Sequence, residues 1–176
     1  MTSLNQLGNR ICIIGNSSAG KSTLAETLAK RLNIQILHLD QIAHIPNTNW
    51  TPRDRDLLAV DHQQFLDLYT DWVIEGNYSF LMPSRFKKAT CIIWLDFSAI
   101  GSVCRYIKRS LTHKDSRAGN LDGATSQFNM KMVKYILLEA PKKKYKYVEL
   151  IQNSNAFFIH IRSFKELMKW YKVWNI

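Results

Sequence analysis

At 176 residues and 46% hydrophobic, the chain is long enough to bury one substantial core and short for two, so a single domain over 1–176 is expected. No run approaches the ~20 apolar residues of a membrane-spanning helix. Met1-Thr2-Ser3-Leu4-Asn5-Gln6 has neither the basic nor the apolar region of a secretory signal, which points to the cytoplasm and away from a membrane partner.

Cys12, Cys91 and Cys104 form no C-x-x-C pair, and the five histidines show no ligand spacing with them. Reduced, buried thiols and no zinc site are the expectation. The formal net charge of +10 is unevenly spread. Residues 1–80 carry six Lys/Arg against eight Asp/Glu, whereas residues 81–176 carry eighteen against six. The C-terminal half therefore favours an anionic partner: a nucleotide, a phosphorylated substrate or nucleic acid. Part of this charge is ordinary solvated lysine, Lys142-Lys143-Lys144 in particular.

Arg10-Ile11-Cys12-Ile13-Ile14 is short, mostly apolar and β-branched, and reads as a buried strand. It runs into Gly15-Asn16-Ser17-Ser18-Ala19-Gly20-Lys21-Ser22, which fits G-x-x-x-x-G-K-[ST], the phosphate-binding P-loop. Leu24, Leu28 and Leu32 then repeat at helical spacing, predicting a helix from about Lys21 to Leu32 with Thr23 in its first turn. The glycines let the backbone curl so that successive N–H groups face phosphate oxygens, and the helix N-terminus adds positive charge. Lys21 would reach the β- and γ-phosphates of ATP, and the Ser22 hydroxyl would hold Mg²⁺.

Ile34 to Leu39 reads as a second strand ending at Asp40, which makes a βαβ unit and a parallel sheet. Thr51-Pro52-Arg53-Asp54 reads as a helix start with Thr51 as cap and Leu57, Leu58, Phe65, Leu68 and Tyr69 on the buried face. Trp72-Val73-Ile74-Glu75 is a third strand, followed by the turn residues Gly76-Asn77 and a short segment containing Pro83 and Arg85. Thr90 to Leu95 is a fourth strand, ending at Asp96. The helix after Ser98 would bury Val103, Ile107 and Leu111. Thr112 to Thr125 is polar and loop-like. A helix from about Ser126 to Ala140 is ended or kinked by Pro141, and a further helical stretch follows to about Gln152. Ala156 to Ile161 is the fifth strand. Ser163-Phe164-Lys165-Glu166 is a capping box opening the last helix, with Leu167, Met168, Tyr171 and Trp174 inward.

Five strands alternating with helices predict a doubly wound α/β protein, a three-layer α/β/α sandwich. Ligands then lie at the carboxyl ends of the strands, which selects Asp40, Glu75, Asp96, Arg162 and Ser163.

This pattern resembles the nucleoside/nucleotide-kinase branch of P-loop proteins, which includes adenylate and shikimate kinases. It more closely resembles a family of small bacterial P-loop proteins labelled "DNA topology modulation protein". The P-loop, Leu37-His38-Leu39-Asp40, Trp72-Val73-Ile74-Glu75-Gly76-Asn77-Tyr78-Ser79 and Pro141-Lys142-Lys143-Lys144-Tyr145 carry the resemblance, from about Ile11 to Trp170. It implies a five-stranded parallel sheet in the order 2-3-1-4-5 and a lid at about 112–125. In such a lid Lys114 and Arg117 would close over the phosphates.

Phosphoryl transfer needs charge compensation and alignment more than covalent chemistry. Lys21 is the only cation in the loop, so further charge must come from elsewhere. Arg105 and Arg109 share one helix face and could reach a polyphosphate, or could simply be surface residues. Glu75 and Asp96 compete to hold Mg²⁺ beside Ser22. The strand before Asp96 looks like a Walker B strand, whereas the resemblance favours Glu75. Asp40 is the candidate to orient or deprotonate an acceptor hydroxyl. Trp50, Asn77, Tyr78 and Arg85 would line the acceptor pocket, Arg85 binding an anionic group bidentately. Arg162 would border the nucleotide base.

The expected function is ATP-dependent transfer of the γ-phosphoryl group to a small metabolite, for whose identity the sequence carries no signature. The alternative is a regulatory ATP-binding protein that modulates DNA topology through the basic half, although no nucleic-acid-binding motif supports it. A GTPase is disfavoured, because Thr112-His113-Lys114-Asp115 has its lysine in the wrong place for an N-K-x-D motif.

Overall fold

The computed structural model describes residues 2–111, 118–121 and 128–176. Five parallel strands form one sheet: β1 (Arg10–Gly15), β2 (Gln35–His38), β3 (Trp72–Glu75), β4 (Cys91–Leu95) and β5 (Phe157–Ile161), in the order β2-β3-β1-β4-β5. β1, β3 and β4 are buried along nearly their whole length, which is why they read as continuous apolar runs rather than alternating ones. The register pairs Ile13 with Glu75 on one side and with Ile93 on the other. The end of β1 thus meets the ends of β3 and β4.

Two apolar layers cover the sheet. On one face Ile11, Ile13, Val73 and Ile93 pack with Leu24 and Leu28 of α1 (Lys21–Leu32) and with Leu167, Trp170 and Trp174 near the C-terminus. On the other, Cys12, Ile14, Ile74 and Ile92 pack with Leu58, Leu66, Met82 and Phe86.

Several local expectations are corrected. β2 stops at His38, and Asp40 falls in a short helix α2 (Leu39–Ile42) rather than on the strand. The next helix, α3 (Arg55–Leu68), is capped by Asp54, whose carboxylate accepts from the N–H groups of Asp56 and Leu57. Thr51 and Pro52 do not start it. The Ile45 N–H donates to the Thr51 carbonyl and His44 bridges Pro52 antiparallel, so these residues close a hairpin-like excursion instead. Leu58, His62 and Leu66 form the buried face of α3, whereas Leu57 and Leu68 are exposed.

After α4 (Met82–Lys88) and β4 comes α5 (Ala99–Leu111), which turns Ser102, Tyr106 and Ser110 inward and leaves Ile107 and Leu111 outside. Tyr106 faces in because its hydroxyl accepts the Asn129 N–H at 2.9 Å. Asn129 caps α6 (Met130–Lys134), which continues as a π-helix (Tyr135–Glu139) and a 3₁₀ turn (Pro141–Lys143) into α7 (Lys144–Gln152). Pro141 therefore marks a change of helix type. The last helix, α8 (Phe164–Trp174), is capped by Ser163, and Trp170 joins the residues expected inside. Cys12 and Cys91 are buried thiols, each pushed up to about 12 by burial, whereas Cys104 is exposed.

Candidate active site

The loop from Gly15 to Gly20 joins β1 to α1, and its shape depends on two glycines. Gly15 has φ of +144°, and a Cβ there would collide with the Leu95 carbonyl. Gly20, at φ +91°, precedes α1 without capping it by a side chain. The N–H groups of Lys21, Ser22 and Thr23 consequently have no partner among the described residues. They are available to an anion, and the helix dipole favours one. The loop is held from beneath. The Asn16 side chain donates to the Phe97 carbonyl at 2.6 Å, and the Ala19 N–H donates to the Asn16 carbonyl at 3.2 Å. Lys21 Nζ folds back to donate to the Asn16 carbonyl at 3.2 Å. Arg105 reaches the loop from α5, its Nε donating to the Ser18 carbonyl at 2.9 Å. Arg105 thus places a second cation against the loop.

At the end of β3, Glu75 is buried and accepts two bonds on Oε1: from the Ser22 hydroxyl at 3.0 Å and from His38 Nδ1 at 3.0 Å. An ionised carboxylate only accepts, so His38 Nδ1 carries the proton. Burial by itself would raise the Glu75 pKa. The His38 bond, the Lys21 charge and the Ser22 hydroxyl outweigh it and hold the carboxyl below its ordinary value. Two oxygen donors, one anionic, at the foot of a phosphate loop suit a hard divalent cation such as Mg²⁺. The chain at Gly119 passes close to Ser22 and His38. A Cβ there would come within 3.0 Å of Ser22 Oγ and 2.8 Å of His38 Nδ1. Asp96, the competing acid, is occupied elsewhere: Lys144 Nζ lies 2.6 Å from Oδ1 and His160 Nε2 lies 3.2 Å from Oδ2.

Asn77 does more than line a pocket. Its amide brackets the Gly15 peptide groups, accepting the Gly15 N–H at 2.9 Å and donating to the Gly15 carbonyl at 2.6 Å. β3 has ended by then, so this side chain supplies the rung that a longer strand would have made. Beyond it a cleft of about 390 Å³ opens, lined by Ser17 and Lys21 at the phosphate loop, by Asp40 and Tyr78, and by Phe80, Met132, Tyr135 and Lys143 among others. The Tyr78 hydroxyl donates to Asp40 Oδ1 at 2.8 Å. Burial and the Asp40 charge both raise the Tyr78 pKa, so the hydroxyl stays protonated and keeps donating.

Other expected site residues lie apart. Arg85 is fully buried and does not border the cleft. Its Nη2 donates to the Gly76 carbonyl at 2.6 Å, while Nε and Nη1 have no partner among the described residues. The direct contact with an anionic substrate group expected of it is corrected to support of the Gly76 turn. Trp50 sits edge-on against His44, outside the cleft lining. Arg109 is exposed on α5, with its guanidinium 5.7 Å from the Tyr106 ring. Arg162 is exposed after β5, its N–H donating to Glu166 Oε2. Lys114 and Arg117 lie outside the described residues. His38 reads in the sequence as an ordinary strand position, and only the pairing of β2 with β3 sets it opposite Glu75.

No protein-family model matches the chain, and no curated protein matches it in sequence. Solved structures do resemble it. A gluconokinase from Sinorhizobium meliloti 1021 is 11% identical with a TM-score of 0.54, over 96% of this chain and 90% of its own. A deoxyadenosine kinase from M. mycoides with bound dATP is 11% identical with a TM-score of 0.52, over 92% of this chain and 96% of its own. With the strand order β2-β3-β1-β4-β5, these likenesses show that the chain shares the parallel α/β fold of those two structures.

Proposed function

We propose that the protein transfers the γ-phosphoryl group of ATP to a hydroxyl of a small metabolite. One observation carries this reading: a single cleft is bordered by Ser17 and Lys21 of the phosphate loop and by the Asp40–Tyr78 pair. The nucleotide bound to the structurally similar deoxyadenosine kinase supports a nucleotide here as well.

The loop N–H groups and Lys21 hold the polyphosphate, and Arg105 adds positive charge from α5. Ser22 and Glu75 would hold Mg²⁺, which neutralises β- and γ-phosphate charge when bound. Tyr78 fixes Asp40 through Oδ1, leaving Oδ2 to face an acceptor. Asp40 takes the proton of the acceptor hydroxyl as its oxygen bonds to the γ-phosphorus and the bond to the bridging oxygen breaks, releasing ADP. The test is ADP formation across a panel of hydroxyl-bearing metabolites. Asp40→Asn is expected to lower turnover by roughly 10²–10⁴-fold while ATP still binds. Undiminished turnover in that variant sinks the role of Asp40.

A further inference from the structure

Lys142, Lys143 and Lys144 looked like one solvated run, but the structure separates them. Lys142 pairs with Glu139 at 2.9 Å, and Lys144 pairs with Asp96 at 2.6 Å. Lys143 has no carboxylate within ion-pair distance among the described residues, and it borders the cleft. Its Nζ donates to the Tyr135 hydroxyl at 3.2 Å and lies 4.9 Å from that ring's centre. The backbone is built to allow this. In a regular α-helix, residues eight apart point about 80° away from each other. The wider π-helix at Tyr135–Glu139 and the 3₁₀ turn at Pro141–Lys143 change the winding, so Tyr135 and Lys143 meet on one face. The Lys144–Asp96 pair then ties the start of α7 to the end of β4 and holds that face in place.

Of the charged residues bordering the cleft, Lys21 belongs to the phosphate loop and Asp40 to the reacting hydroxyl, which leaves Lys143. Arg55 stacks on the Phe80 ring at 4.2 Å but does not itself border the cleft. We infer that Lys143 is a specificity residue that reads a second, anionic group on the acceptor, so that the substrate class is a small hydroxyl compound carrying a carboxylate or a phosphate. Such a group meets an ammonium held by an aromatic ring and hydroxyl, without a protein carboxylate competing for it. Phe80, Met132 and Tyr135 cover the carbon skeleton between the two polar ends. This inference rests on the phosphoryl-transfer reading of the same cleft.

The experiment pairs each anionic probe with an uncharged counterpart: gluconate with glucitol, glucose 6-phosphate with glucose, and deoxyadenosine monophosphate with deoxyadenosine. ADP release is measured for wild type, Lys143→Met, Lys143→Arg and the control Lys142→Met. At least one anionic member is expected to be preferred by roughly tenfold or more in kcat/KM. Whether the carboxylates or the phosphates respond identifies the group. Lys143→Met should raise the KM of the preferred anion by roughly 10- to 100-fold and erase the preference, Lys143→Arg should restore much of it, and Lys142→Met should match wild type. In parallel, calorimetry measures binding of the same probes to protein loaded with a non-hydrolysable ATP analogue. Lys143-dependent binding of an anion without turnover supports the anion site at Lys143 and counts against phosphoryl transfer to that anion. Equal use of charged and uncharged partners, an effect of Lys143→Met on the KM of ATP alone, or no binding of any anionic probe overturns it.

Discussion

Replacing Asn77 by alanine removes both bonds that the amide makes to Gly15, at 2.9 and 2.6 Å. Gly15 is buried, so water cannot take over the role. A neutral hydrogen bond contributes about 1 kcal/mol net, and a buried backbone group left without a partner costs about 1–3 kcal/mol. Two such groups at a partly buried side chain put the loss at roughly 2–4 kcal/mol. For a chain of this length that lowers the Tm by roughly 5–15 °C. The loop hangs from Gly15, so nucleotide affinity should fall with stability, by about tenfold or more. Asn77→Asp should do no better, because a carboxylate oxygen would face the Gly15 carbonyl where a donor now stands. Ser79→Ala, at the same cleft but with no side-chain hydrogen bond among the described residues, should stay within about 0.5 kcal/mol of wild type. Thermal unfolding by circular dichroism and ATP titration by calorimetry read both effects. An Asn77→Ala protein with unchanged Tm and unchanged ATP affinity refutes the reasoning.

Three further outcomes follow from the same geometry. Arg105→Met loses the bond to the Ser18 carbonyl and a cation beside the loop, and should weaken ATP binding roughly 10- to 100-fold in a calorimetric titration. His62 is buried in α3 with its pKa lowered from 6.5 to about 4, chiefly by burial and then by the Arg85 and Lys88 charges. The unfolded chain binds the extra proton first, so stability should fall by roughly 3 kcal/mol as pH drops from 6.5 towards 4. His62→Leu should remove that component, seen by urea unfolding at either end of the window. Glu75 is held below its ordinary pKa, so its stabilising part is present above the ordinary carboxylate value and is lost as pH falls through the lower folded one. Glu75→Gln should therefore be least stable relative to wild type near neutrality, with the gap closing in acid. A gap that stays constant with pH contradicts the assignment.

The phosphate loop was legible because all its parts are contiguous: a strand, two glycines with positive φ, a lysine and a helix start. The strands were legible for a related reason. Strands covered on both faces must be apolar throughout, and such runs are visible in the residues alone. Helix faces were less legible. Ile107 and Leu111 of α5 repeat at helical spacing yet lie outside, while Ser102 and Ser110 are buried. Spacing tells which residues share a face, but which face turns inward depends on the neighbour, here the Asn129 N–H that meets Tyr106.

Local caps such as Ser163 were legible, but long-range hydrogen-bond commitments were not. Asn77 has the same chemistry whether it faces a ligand or Gly15, 62 positions away in sequence. Arg85 reads as an anion binder until burial assigns its guanidinium to the Gly76 carbonyl. Three consecutive lysines look alike until Glu139 and Asp96 claim two of them. The amino-acid sequence by itself determined the parallel α/β architecture and the glycine loop at one end of the cleft, because both follow from local periodicity and backbone conformation. Only the tertiary structure decided which polar groups remain uncommitted at the other end, because that depends on partners brought together across the sheet.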